Sequence, residues 1–206
     1  MRPITQTIFP ALDMKDFPAM LKAAAAGGLV AGCYGAVHDQ LTFAISVEYF
    51  RNLKFHQFAW ANAGLSERIF VSEIGFIASW WVGVFCNWFL ARKLIPLQPR
   101  SVAMRQIFRG MIIVIGCVML AGLAGYGYGL YRGPDADYSH WSVTLENLRV
   151  TEPWPFLRVA YIHNFGYAGA AVGLLLALFI IRPRNTGADE AMAKSSQEHQ
   201  DHRGEA

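Results

Sequence analysis

Two histidines and three carboxylates stand out in this 206-residue chain because they lie in or beside stretches otherwise poor in charge. They are His38 and Asp39, Glu48, Glu73, and His163 with Asn164 beside it. Two imidazoles with two or three carboxylates suit zinc, iron or manganese, and such sets build metal sites between the helices of bundles. The residue types therefore point to a mononuclear or dinuclear site with ligands from His38, Glu48, Glu73 and His163. Asp39, Thr42 and Asn164 would support it from behind, Asp39 or Asn164 orienting an imidazole. The chain holds no Glu-x-x-His, His-Glu-x-x-His or Cys-x-x-Cys spacing, so any such site must be assembled by the fold. Two other readings stay open. His38, Asp39 and His163 can simply hydrogen-bond to one another and to Thr42, such contacts between membrane helices contributing roughly 0.6 kcal/mol each. His38 and His163 can also be axial ligands of a haem b, although Asp39 and Glu73 would be awkward neighbours of the macrocycle.

The elements that must position these groups are apolar helices. Hydrophobic residues make up 54% of the chain, too many for an ordinary soluble domain of this size, and the excess falls into four blocks. These predict an all-α bundle of four transmembrane helices spanning about 21–47, 70–91, 110–131 and 159–181, since roughly 20 helical residues cross a hydrocarbon core of about 30 Å. The third is the plainest, with no charged residue from Gly110 to Leu130. Ionisable groups inside such spans are costly unless paired, which makes each a functional candidate.

Charge sets the orientation. Twelve lysines and arginines fall before the first span, between the second and third, or after the fourth, and the other two loops hold three each. The positive-inside rule then puts both termini and the Arg92–Arg109 loop in the cytoplasm, as in a multi-pass protein of a bacterial inner membrane. His38 comes to lie about six residues, or roughly 9 Å, below the outward end of its span. Glu73 and His163 lie three to five residues below the outward ends of theirs, so all share the outer-leaflet level. On the first helix His38, Asp39 and Thr42 share a face above Gly35, and on the fourth His163 shares one with Gly166, Tyr167 and Ala170.

Residues 1–20 read as a cytoplasmic interfacial segment, 21–182 as the membrane domain and 183–206 as a disordered cytoplasmic tail in which His199 and His202 are solvated. Glu48 to Arg68, with Tyr49, Phe50, Phe55, Phe58 and Trp60 among cations, reads as an outward amphipathic helix at the headgroups. The outward loop from Arg132 to Arg158, with Pro134, Pro153, Pro155, Trp141 and Trp154, reads as an ordered lid. Cys33, Cys86 and Cys117 fall inside spans and act as small packing residues. The run Val30-Ala31-Gly32-Cys33 has the look of a lipoprotein processing signal, but apolar character continues well beyond it, as in a membrane helix. Glycines in all four spans serve close helix packing, and Gly169 with Gly173 is a weak dimerisation signal. Nothing resembles a nucleotide-binding loop or a nucleic-acid surface.

The run Tyr34-Gly35-Ala36-Val37-His38-Asp39-Gln40-Leu41-Thr42, followed by Glu48-Tyr49-Phe50, resembles a family of small bacterial four-helix integral membrane proteins. The likeness covers about 160 residues and includes the tryptophan-rich Ala78-Ser79-Trp80-Trp81-Val82-Gly83 and the final His163-Asn164-Phe165-Gly166-Tyr167, where tyrosine stands one place from the family pattern. The resemblance implies the same topology and singles out His38, Glu48 and His163. It does not include Glu73, and it implies no reaction.

Two functions follow as expectations. One is a metal-dependent membrane enzyme, an oxidoreductase or hydrolase, acting on a lipid-soluble or outward-facing substrate, with Tyr49, Trp60 and Trp141 lining access. The other is a non-catalytic subunit or assembly factor, with Trp80, Trp81 and Trp88 facing a membrane-protein partner or a second copy.

Overall fold

The computed structural model describes residues 10–183. The two ends of the chain, including His199, His202 and the tail beyond Pro183, lie outside the described residues. Among these the architecture is all-helical, with four helices long and apolar enough to cross a membrane. They are α1 (Phe17–Ile45), α2 (Glu67–Leu94), α3 (Arg100–Arg132) and α4 (Pro153–Ile180). Each boundary has a local cause. Proline lies in the first turn of α1 and α4, where its missing N–H costs nothing and its fixed φ is already helical. α2 opens on Glu67 and closes on Arg92 and Lys93, charges that complement the helix dipole. α3 follows Pro99 and stops at Gly133, whose φ of 71° lies in the left-handed region that glycine enters freely.

The bundle is two tight antiparallel pairs, α1 with α2 and α3 with α4, that touch one another much more sparsely. In the first pair the backbones meet at glycines. A Cβ added to Gly35 would lie 2.1 Å from the Gly75 carbonyl oxygen, and one added to Gly83 would lie 2.1 Å from that of Gly27. Lipid offers no hydrophobic drive for helix association, so such close approach, with its dispersion contacts, is what holds the pair together. In the second pair Gly169 and Gly173 pack against Cys117, Val118 and Val114 of α3. Their predicted dimerisation surface is thus used within the chain.

At the end of the bundle where α2 begins, the connection from Ser46 to Ser66 is not one amphipathic helix. It holds one short helical run over 47–57, π-helical in register at Tyr49–Lys54, followed by a 3-10 turn at Ala59–Ala61. The reason is burial. The π turn swings Tyr49 and Phe50 inward, where they are 6% and 0% exposed and pack with Phe43, Phe156 and Leu157. The second connection at this end also closes inward, with Tyr138, Trp141, Leu145 and Leu148 against the same cluster. At the opposite end Lys93, counted above as a loop cation, is 5% exposed and donates to the carbonyls of Ile181 at 2.8 Å and of Leu178. It satisfies carbonyls that the end of α4 leaves without intrahelical partners.

Candidate metal centre

His38 and Asp39 lie seven and six residues before the end of α1, and His163 lies ten residues into α4. The two tight pairs meet at this level. Asp39 is 4% exposed, and its Oδ1 stands 3.3 Å from Nδ1 of His38 and 3.1 Å from Nε2 of His163. One ligand atom from each of the three residues falls within 4.8 Å of the others. The imidazoles sit edge to face with ring centroids 5.2 Å apart, and Tyr49 stacks on His163 at 5.2 Å and 18°.

The protonation of His163 follows from its partners. Nδ1 lies 2.9 Å from the carbonyl oxygen of Val159, which only accepts, so Nδ1 carries a proton. In the neutral ring Nε2 then presents a lone pair to a carboxylate oxygen that also only accepts when ionised. Two lone pairs at 3.1 Å repel, so a proton on one of the two groups, or a metal ion shared by them, would relieve the contact. The separations from Oδ1 fit a hydrogen bond and a shared ion alike. With bonds of about 2.0–2.1 Å, two donors on a tetrahedral ion stand about 3.3 Å apart, close to the 3.1 and 3.3 Å found here. The Val159 carbonyl holds the ring from behind, the arrangement that fixes the tautomer of metal-bound histidines. Three such ligands would leave at least one coordination position open on a bound ion.

Of the residues expected at the site, the fold brings His38 and His163 together and promotes Asp39 from a supporting role to the centre. It does not bring in Glu48. That carboxylate reaches across to the start of α4, where it accepts from the backbone N–H of Thr151 at 3.1 Å and of Glu152 at 2.9 Å, and from the Thr151 hydroxyl. Glu48 is a tether between the two connections at this end of the bundle, holding the backbone N–H groups of the two residues just before α4. Glu73 is also absent from the group. It stands two residues before Gly75, about 200° round the helix from the face that meets α1. Its Oε2 is shielded from solvent without a hydrogen-bond partner among the described residues. Thr42 does not touch an imidazole, for its hydroxyl lies within 3.3 and 3.4 Å of the carbonyls of Asp39 and His38 on its own helix. Asn164 is exposed, one helical step away from the inward face that His163 occupies. A haem between His38 and His163 does not fit, because the Asp39 carboxylate occupies the place the macrocycle would need.

Glu48 supports a prediction of its own. Burial pushes its carboxyl up, but the donors on Thr151 and Glu152 outweigh this and hold it below the usual 4.5. A carboxyl depressed in the folded state stabilises above its unfolded value and loses that contribution as pH falls through the folded one. Glu48→Gln should therefore cost about 1 kcal/mol at neutral pH, a modest figure because the group is partly exposed. The gap in melting temperature from wild type should close as pH drops below 4.5, which a pair of melts at neutral and acid pH would measure.

The centre opens on an internal cleft walled by Tyr34, Ser79, Cys86, Val118, Ile162 and Tyr167, of about 80 Å³. That suffices for an ion with a few waters and for little more. Sequence reasoning named both histidines but misjudged the neighbour. Asp39 follows His38 directly, and adjacency on a helix does not say which of two side chains turns inward. Comparison with protein families, curated proteins and solved structures found no match for the chain.

Proposed function

We propose that this chain is a metalloprotein of a bacterial inner membrane, with both termini cytoplasmic, that binds one zinc, iron or manganese ion through His38, Asp39 and His163 at the level of the outer leaflet. It uses the open coordination position for metal-dependent chemistry, hydrolytic or oxidoreductive. The observation that carries the proposal is the convergence of His163 Nε2 and His38 Nδ1 on a single buried oxygen of Asp39, a donor set that could hold a cation. Orientation rests on the bias of lysine and arginine, and the bacterial assignment on the resemblance of the Tyr34–Thr42 and His163–Tyr167 runs to a bacterial family. When bound, the ion would polarise a substrate oxygen or lower the pKa of a water. His163 would be held in register by Val159 and by the ring of Tyr49. A non-catalytic subunit would rest instead on the exposed Trp80 and Trp81, because Trp88 packs inward against Phe17 and the core.

The test is elemental analysis of the purified chain, as isolated and after loading with each of the three metals in turn. About one ion per chain is expected, with protons released on binding. A stoichiometry below about 0.1 under every condition overturns the proposal.

A further inference from the structure

The cleft at the centre is too small to admit a substrate, but a second hollow is not. Between α1 and α3, elements of different pairs that barely touch, runs a groove of about 500 Å³, within the range of small-molecule sites. Its walls are Val37, Leu41 and Ile45 from α1, Met119 and Leu123 from α3, and Ile162 from α4. Val37, Leu41 and Leu123 are each more than 60% exposed, so its mouth lies at the outer wall of the bundle, inside the spanning region. Tyr34, His38 and Ile162 line both groove and cleft, and the imidazole of His38 forms part of the partition between them.

We infer that this groove binds a neutral lipophile, a chain or ring system whose oxygen-bearing head, a quinone carbonyl or a hydroxyl, is presented to His38 and Tyr34 at the edge of the metal centre. Three observations select this class. The groove's lining holds no lysine, arginine, aspartate or glutamate, and the guanidinium of Arg158 beside it lies over the rings of Tyr126 and Trp154, so a phosphate or ammonium headgroup finds no free partner in the lining. Its polar groups are few and uncharged in character, the hydroxyls of Tyr34, Thr42 and Tyr126 with the imidazole of His38. His38 lies seven residues inside the end of α1, about 10 Å below it, deeper than a phospholipid headgroup sits and suited to a head that partitions into hydrocarbon. The head also has a waiting partner. Nδ1 of His38 is engaged with Asp39, while no group among the described residues hydrogen-bonds its Nε2. The inference deepens the metal reading by naming the substrate class of that centre, and it depends on the ion only for what happens after binding.

Photolabelling tests it on the full chain in lipid nanodiscs. The probe is an azido-quinone with a ten-carbon tail, competed by unlabelled decylubiquinone, by a long-chain alcohol, or by phosphatidylglycerol. Labels are expected on peptides carrying Val37, Leu41 or Leu123. Competition by the quinone or the alcohol supports the proposal and identifies the head, whereas equal competition by phosphatidylglycerol overturns it. Gly122→Phe fills the groove where a Cβ meets only Ile162, at 3.9 Å. It should cut labelling about tenfold or more, a loss of at least about 1.4 kcal/mol in binding, with metal content unchanged. Labelling insensitive both to Gly122→Phe and to unlabelled quinone overturns the groove. Specific labelling of a chain that binds no metal would retain the groove and remove only the metal reading.

Discussion

Replacing Asp39 with alanine should empty the metal centre, while Glu48→Gln and Glu73→Gln leave it filled. Asp39 supplies the oxygen on which both imidazoles converge, at 3.3 and 3.1 Å. Without it, two neutral rings on different helix pairs face one another with no negative charge to offset the ion. Removing residues that merely support a ligand costs about 10–100-fold in metal affinity, so loss of a ligand should exceed about 100-fold. Metal per chain should fall below about 0.1 after ordinary purification, against about one for wild type. Asp39→Asn keeps the shape and one acceptor but not the charge, and should fall between the two. Glu48 and Glu73 are the controls that separate this centre from the one the residue types alone suggested. Glu48 is committed to Thr151 and Glu152, and Glu73 stands outside the group. Retention of metal in Asp39→Ala, or its loss in Glu73→Gln, would refute the assignment.

The largest effect on folding should come from Gly35→Val. Even the first added carbon would stand 2.1 Å from the Gly75 carbonyl oxygen and 2.3 Å from the Ser79 hydroxyl oxygen. A flexible side chain can step aside from such a contact, but the backbone of α2 cannot without the two helices separating. Overpacking a close seam costs about 1–3 kcal/mol and occasionally more, and a rigid backbone neighbour puts this site at the upper end. In a chain of this size about 3 kcal/mol corresponds to a drop of roughly 6–12 °C in melting temperature. Gly116→Val is the matched control, because nothing lies within 4 Å of a Cβ at Gly116. Equal melting of the two variants would show that the α1–α2 seam does not depend on backbone contact. Since Gly35 lies one turn before His38 and Asp39, the same change should also weaken metal retention.

How much of this was legible beforehand differs by residue. The four long helices were readable because hydropathy is a local sum, and α1, α2, α3 and α4 each contain their predicted apolar block to within two residues. Their ends were less readable. α3 begins at Arg100, ten residues before its block, because hydropathy marks where a helix meets lipid and says little about where hydrogen bonding stops. Lys93 counted as a topological charge, yet it caps α4 from within the packed end of the bundle. Tyr49 and Phe50 read as headgroup aromatics, but their destination depended on the gap left above Phe156 and Leu157.

Composition and pattern alone determined four apolar helices, with His38 and Asp39 late in the first and His163 early in the fourth, since both follow from residues counted along a helix. Which of those groups meet was decided only by packing. The glycine contacts set α1 firmly on α2, the α3–α4 pair set His163 opposite, and rotation about those axes brought in Asp39 and left out Glu73, while Glu48, on the connection after α1, is held by Thr151 and Glu152. A ligand set drawn from two helix pairs depends on interhelical rotation, and rotation is decided by long-range backbone contact that no local window of sequence contains.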